Sequence, residues 1–112
     1  MRNGKYNATK VVINKKKFDS KAEGQYYLFL LDQQKRGLIK IIELQPKVYL
    51  TNAKILYKPD FLIQEGHRCI YVDVKGMKTP VFAIKKRLWV YYGGGTLRIV
   101  KNGKIIEEVK TL

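Results

Sequence analysis

The chain has 112 residues, enough for one compact domain and too few for a second independent core. Lys and Arg number 23 against 9 Asp and Glu, a net charge of +14 on 13.1 kDa, and a field of that strength draws polyanions, nucleic acid first among them. Apolar residues make up 46% of the chain, yet no run approaches the roughly 18 consecutive apolar residues of a membrane span, and neither helical stretch found below is a clean basic amphipathic helix for a lipid surface.

The opening MRNGKYNATK lacks the apolar core of a secretory signal, so a cytoplasmic location is expected. Residues 1–9 are polar and aperiodic and read as a basic arm ahead of a domain over residues 10–112. Lys10 to Phe18, broken at Asn14-Lys15-Lys16, resembles a short hairpin. Ser20-Lys21-Ala22-Glu23 has the form of a capping box, and the apolar residues from Tyr26 to Leu31 recur at helical spacing. This predicts a helix from about Lys21 to Arg36, ending at Gly37.

Leu38 to Leu50 is rich in β-branched residues and predicts one long strand, stopped by Thr51-Asn52-Ala53. Lys54 to Gln64 alternates, with Ile55, Tyr57, Phe61 and Ile63 on one face; Arg68 to Lys75 aligns Ile70, Val72 and Val74. With Glu65-Gly66 between them, the two stretches predict a hairpin. Thr79-Pro80 joins an N-cap to a proline at the first helical position, and Val81 to Tyr92 continues as helix until Gly93 to Gly95. Leu97 to Lys101 and Lys104 to Val109 flank Asn102-Gly103, the dipeptide of tight hairpins. The expected fold is α/β: one mixed central sheet with a helix-strand-strand-strand-helix-strand core, flanked by hairpin strands.

If Glu65-Gly66 is a two-residue turn, Gln64 stands opposite His67, Asp60 opposite Tyr71 and Asp73 opposite Lys58. Period-two alternation then sends Asp60, Tyr71, Asp73 and Lys75 to the face opposite Phe61, Val72 and Val74, with the two aspartates as diagonal neighbours. Carboxylates about 7–8 Å apart at Cα can lean onto one hard cation, and without one they repel. Lys58 and Lys75 are both near them in this register. Pro59 cannot donate to a ladder and marks an edge or a bulge that re-aims Asp60. Lys75 suits holding an attacking water or neutralising charge on a phosphoryl group. Each feature has a plainer reading too: Pro-Asp and Asp-x-Lys recur by chance, and Glu23 already has a task as a helix cap.

Pro59-Asp60 followed by Asp73-Val74-Lys75, with Glu23 on a preceding helix, resembles the PD-(D/E)XK nuclease superfamily, whose core has the same element order. Lys5-Tyr6-Asn7, Phe18-Asp19-Ser20-Lys21-x-Glu23, Leu44-Gln45-Pro46-Lys47, Tyr57-Lys58-x-Asp60-Phe61 and Asp73-Val74-Lys75-Gly76 look like a family of small phage-encoded nucleases within it. The resemblance implies a restriction-endonuclease-like fold and an Mg²⁺-dependent DNA endonuclease, with Mn²⁺ able to substitute. Glu23, Asp60 and Asp73 would be the metal ligands, and Lys75 would complete the catalytic set. By analogy with Holliday junction resolvases, the expected substrate is branched DNA in phage recombination or replication, cut by a homodimer. The rival expectation is a non-catalytic nucleic-acid-binding module that keeps the fold.

Lys15, Lys16 and Lys17 form a basic hairpin tip suited to phosphate contact, and Lys58, Lys78, Lys85 and Lys86 are the further lysines assigned to DNA. The resemblance places Lys85 or Lys86 where related enzymes carry another basic residue. His67 is expected in a turn, and Cys69, with no cysteine to pair with, in the packed interior. No histidine pair or zinc set is available. Tyr26, Tyr27, Tyr91 and Tyr92 sit at helical spacing, which favours core packing over base stacking. Gly93 to Gly95 lacks the Gly-Lys-Ser/Thr ending of a nucleotide loop, so no nucleotide cofactor is expected.

Overall fold

The computed structural model describes residues 10–76 and 79–112. The expected arm over residues 1–9 lies outside them. The described chain opens with a hairpin of β1 (Val11–Ile13) and β2 (Lys16–Phe18). Its tip residues Asn14 and Lys15 have φ of 52° and 65°, the two-residue turn geometry that matches strand twist. Helix α1 (Lys21–Lys35) begins where Ser20 Oγ accepts a hydrogen bond from Glu23 N at 3.1 Å. It ends where Gly37 takes φ of 77°.

The strands β3 (Lys40–Leu44), β4 (Val48–Leu50), β5 (Ile55–Tyr57), β6 (Phe61–Glu65) and β7 (Arg68–Val74) follow. Helix α2 (Pro80–Tyr92) and the hairpin of β8 (Thr96–Lys101) and β9 (Lys104–Lys110) complete the chain. The central sheet has the order β3-β6-β7-β8-β9. Only β7 and β8 run parallel in it, because α2 carries the chain back across the sheet between them. This is the α/β architecture expected from sequence, and among the described residues no helix is long and apolar enough to cross a membrane.

Each face of the sheet has its own core. On one, Phe18, Tyr26, Tyr27 and Leu30 pack on Phe61, Ile63, Ile70 and Val72, the Tyr27 and Phe61 rings lying nearly parallel at 3°. On the other, Phe82 and Trp89 of α2 join Leu50, Tyr57, Leu97, Ile99 and Val109. Trp89 is fully buried and donates from Nε1 to Gly95 O at 2.9 Å. A Cβ on Gly93 would stand 2.3 Å from the Trp89 ring, so glycine is required where α2 stops.

Three strand expectations are corrected. Leu38 to Leu50 is not one strand, because Gln45 takes φ of 50° and Pro46 offers no N–H. β3 stops at Leu44, and β4 leaves the central sheet to pair with β5. Lys54 to Gln64 is not one alternating strand either. The break at Lys58-Pro59-Asp60 sends Tyr57 into the α2-side core and Phe61 into the α1-side core, where unbroken alternation would have aligned them.

The turn between β6 and β7 is Gly66-His67, not Glu65-Gly66: Gly66 takes φ of 62°, and Glu65 pairs with Arg68. Phe61 therefore stands opposite Val72, which brings Asp60 level with Asp73 and not with Tyr71. A two-residue slip preserves the faces, so the expected division of side chains survives. His67 is a turn residue as expected. Cys69 is exposed, contrary to the packing assignment, and Tyr91 and Tyr92 are exposed while Tyr26 and Tyr27 are core.

The sequence reading also missed a buried cation. Arg98 of β8 forks to Glu65 at 3.0 and 3.2 Å and donates from Nε to Glu108 at 2.8 Å, tying β6, β8 and β9 together. Arg98 holds Glu65 below its ordinary pKa. Burial alone would raise Glu108, but Arg98 and Arg68 carry it below. Such carboxylates add stability that is complete above their ordinary pKa of 4.5 and lost as pH falls through the lower folded values. Arg98→Ala should lose about 2 kcal/mol at pH 7 in urea unfolding, with the gap to wild type narrowing as pH drops toward about 3. A gap independent of pH would show that packing, not the ion pairs, is what Arg98 contributes.

Candidate active site

The site forms where β7 ends, at the carboxyl end of the parallel β7–β8 pair, a position where open α/β sheets commonly leave room for ligands. Lys75 N donates to Val100 O at 2.8 Å, so pairing with β8 persists beyond the last strand residue and fixes the backbone of Asp73 and Lys75. Asp60 is fixed as firmly. Its N–H donates to Val72 O at 2.9 Å, its carbonyl accepts from Gln45 N at 2.9 Å, and its Oδ2 accepts from Val74 N at 2.7 Å. The buried Pro59 turns the chain so that Asp60 arrives at this point.

Glu23 comes from the first turn of α1, and with Asp60, Asp73 and Lys75 it lines one cavity of ≈ 410 Å³. Asp73 is 4% exposed. Its Oδ1 meets Lys75 Nζ at 3.1 Å, and its Oδ2 accepts a hydrogen bond from the Tyr57 hydroxyl. Lys75 Nζ also lies 3.8 Å above the centre of the Phe82 ring, a cation–π contact. Glu23 is buried, and its Oε2 has no hydrogen-bond partner.

Burial is the main force on Asp60 and Glu23. It raises the Asp60 carboxyl well above the usual range, reinforced by Asp73 and Glu23. Glu23 is raised by burial and then by Asp19, with Asp73 adding and contact with Asp60 opposing. Burial and then Asp73 push the Tyr57 phenol upward, so it remains a donor.

Three carboxylates from separate elements, mutually repelling and with one buried oxygen unpartnered, are a hard-oxygen donor set of the kind that suits a divalent cation. Among the described residues no three potential ligands close on a single point; Asp60 and Asp73 each direct an oxygen to a protein donor. The donor set fits the metal by chemistry and burial, and at Asp73 Oδ1 a cation would meet the Lys75 ammonium.

The remaining lysines divide. Lys58 and Lys85 line the cavity, with Lys85 Nζ 5.7 Å from the Tyr57 ring centre. Lys86 points elsewhere and pairs with Glu107 of β9 at 3.0 Å. Lys15, Lys16 and Lys17 are exposed on the β1–β2 hairpin and are not among the cavity residues. Lys78 lies outside the described residues. Tyr57 and Phe82 were missed as site residues, because alternation and helical spacing assign both to core. The available signal was proximity to Pro59-Asp60 and to the α2 N-terminus.

Fold and site together define a single α/β domain with a carboxylate-and-lysine cavity at the open end of a mixed sheet. The chain belongs to the family described as "Protein of unknown function (DUF1064)", whose profile matches residues 3–110. No curated protein and no solved structure matches it.

An acid whose folded pKa is raised destabilises the fold once pH exceeds its unfolded value, and the penalty is complete above the folded one. Asp60→Asn keeps an oxygen for Val74 N and removes the charge. In metal-free buffer at pH 8 it should raise the melting temperature by about 4 °C, as expected for roughly 1 kcal/mol, with the gain shrinking as pH falls through the raised folded value and vanishing near pH 4, where the unfolded chain's aspartate is protonated as well. A lower melting temperature at pH 8 would show that repulsion at Asp60 is not what limits stability.

Proposed function

We propose that this protein is a metal-dependent endonuclease that hydrolyses phosphodiester bonds in DNA. The observation that carries the reading is the convergence of Glu23, Asp60 and Asp73 beside Lys75 in one cavity of a strongly basic domain. A binding module that reads only phosphate has no use for buried carboxylates that repel its ligand, which disfavours the rival reading.

Glu23, Asp60 and Asp73 would hold Mg²⁺ or Mn²⁺. A bound ion of this kind supplies an acidified water and neutralises charge on the scissile phosphate. Lys75, between Asp73 and the cavity, places a non-coordinating cation beside the phosphate oxygens, where negative charge gathers as the nucleophile attacks. Lys58 and Lys85 stand at the same cavity to receive flanking phosphates. The wider positive charge provides binding that is steeply salt-dependent and largely indifferent to sequence.

Branched or distorted DNA is the proposed substrate. Among the described residues the connections are short and none is a long insertion suited to reading a groove, which leaves backbone and shape as the features to recognise. Cutting both strands of a symmetric junction calls for two matched sites, hence a C₂ dimer. A strict monomer by sedimentation at micromolar concentration would replace paired cutting with nicking.

The decisive variant is Asp73→Asn, which keeps the shape and removes a charge. With Mg²⁺, cleavage should fall on the order of 10²–10³-fold, and EDTA should abolish it in wild type. DNA affinity should persist or rise, because a carboxylate that repels phosphate is gone. Duplex, flap, single-stranded and four-way-junction DNA serve as substrates. No Mg²⁺-dependent cleavage of any of them by wild type, or wild-type cleavage by Asp73→Asn, overturns the reading.

A further inference from the structure

We propose that Tyr57 is a positioning residue for cation binding, its hydroxyl holding Asp73 from behind so that an arriving cation displaces Lys75, not the tyrosine, from the carboxylate. This rests on the metal-site reading of the cavity.

Both oxygens of Asp73 are engaged, but the two contacts differ in what they can yield. The Tyr57 ring is 5% exposed and lies edge-on to Trp89, with centroids 6.0 Å apart. Its backbone is fixed by pairing with Val48 across the β4–β5 hairpin. A buried ring with two side-chain torsions, packed edge-on to a fully buried tryptophan, has far less freedom to move its hydroxyl than a lysine has to move its ammonium. Lys75 differs: its stem is long, its side chain is partly exposed, and its ammonium borders the open cavity.

A carboxylate oxygen has two lone pairs, so Oδ2 can keep the phenol hydrogen bond whichever way Oδ1 is used. An ammonium and a metal cation sharing Oδ1, by contrast, would be two positive charges a few ångströms apart, and they repel each other. Cation entry therefore pushes Lys75 toward the cavity, where a substrate phosphate would lie, while Tyr57 keeps Asp73 aimed. Metal loading and lysine release become linked events, and each must weaken the opposing state by the same factor.

The test is Mn²⁺ titration of the purified full chain without DNA, read by the electron paramagnetic resonance of free Mn²⁺. Tyr57→Phe keeps the ring on Trp89 and removes only the hydroxyl. Its Mn²⁺ affinity should fall about tenfold, the usual scale for removing a partner behind a ligand. Lys75→Met removes the competitor, and its affinity should rise.

If Tyr57→Phe binds Mn²⁺ as wild type does and only melts earlier, the hydroxyl is merely structural and the proposal fails. If Tyr57→Phe does not fold, Lys75→Met still decides: affinity equal to or below wild type overturns the competition at Asp73. Wild type that binds no Mn²⁺ at millimolar concentration overturns the proposal and the metal-site reading together. Wild type that binds Mn²⁺ with the expected variant effects, yet cleaves no DNA, overturns the nuclease reading alone. Cleavage by wild type with unchanged Mn²⁺ affinity in Tyr57→Phe overturns the Tyr57 assignment alone.

Discussion

The site depends on one interruption of the chain. Between β5 and β6, Lys58-Pro59-Asp60 ends one two-stranded sheet and begins a strand of the central one. Pro59 has no N–H to extend a ladder, and its buried ring fixes the direction in which the chain re-enters. Because of that turn, Tyr57 packs under α2 while Phe61, four residues later, packs under α1. Asp60 sits at the hinge, where its main chain is held by Gln45 and Val72 and its side chain by Val74. An uninterrupted strand would carry Tyr57 and Phe61 to the same face and leave no cavity between β7 and α2.

The sheet and the cavity balance their charges differently. Glu65, Arg98 and Glu108 interlock across β6, β8 and β9, with an opposite charge beside each member. At the cavity the balance is reversed, since three acids face one another with Lys75 as the near cation. Repelling groups in a buried position survive only when the surrounding structure fixes them, and here that structure is the β7–β8 pairing and the packed Trp89 layer. Paired charges frame the sheet, and an excess of acid over base marks the place where a cation has something to gain.

Much of this was legible in sequence, for identifiable reasons. Helix bounds followed from Ser20, Thr79-Pro80, Gly37 and Gly93, whose roles are set by local backbone chemistry. The shared face of Asp60 and Asp73 also followed, and it survived a wrong turn assignment because a slip of two residues does not change parity. Other features were hidden. Leu38 to Leu50 reads as continuous because propensity does not report that Gln45 adopts a left-handed backbone. The Arg98–Glu65 and Tyr57–Asp73 contacts escaped because their partners lie 33 and 16 residues apart in sequence, a separation that no local pattern encodes.

Charge in this protein works at two ranges, and the ranges have opposite signs. Across the whole chain the excess is +14, a field that attracts polyanions in general and is screened by salt over about 10 Å. Within the cavity the acids are buried, so whatever negative charge they carry is little screened and opposes the approach of an anion. In the proposed function, a phosphodiester drawn to the surface would be held off the carboxylates until a cation reversed the local sign. In the proposed function that reversal makes docking and activation the same event: the ion that admits the phosphate also frees Lys75 to meet it.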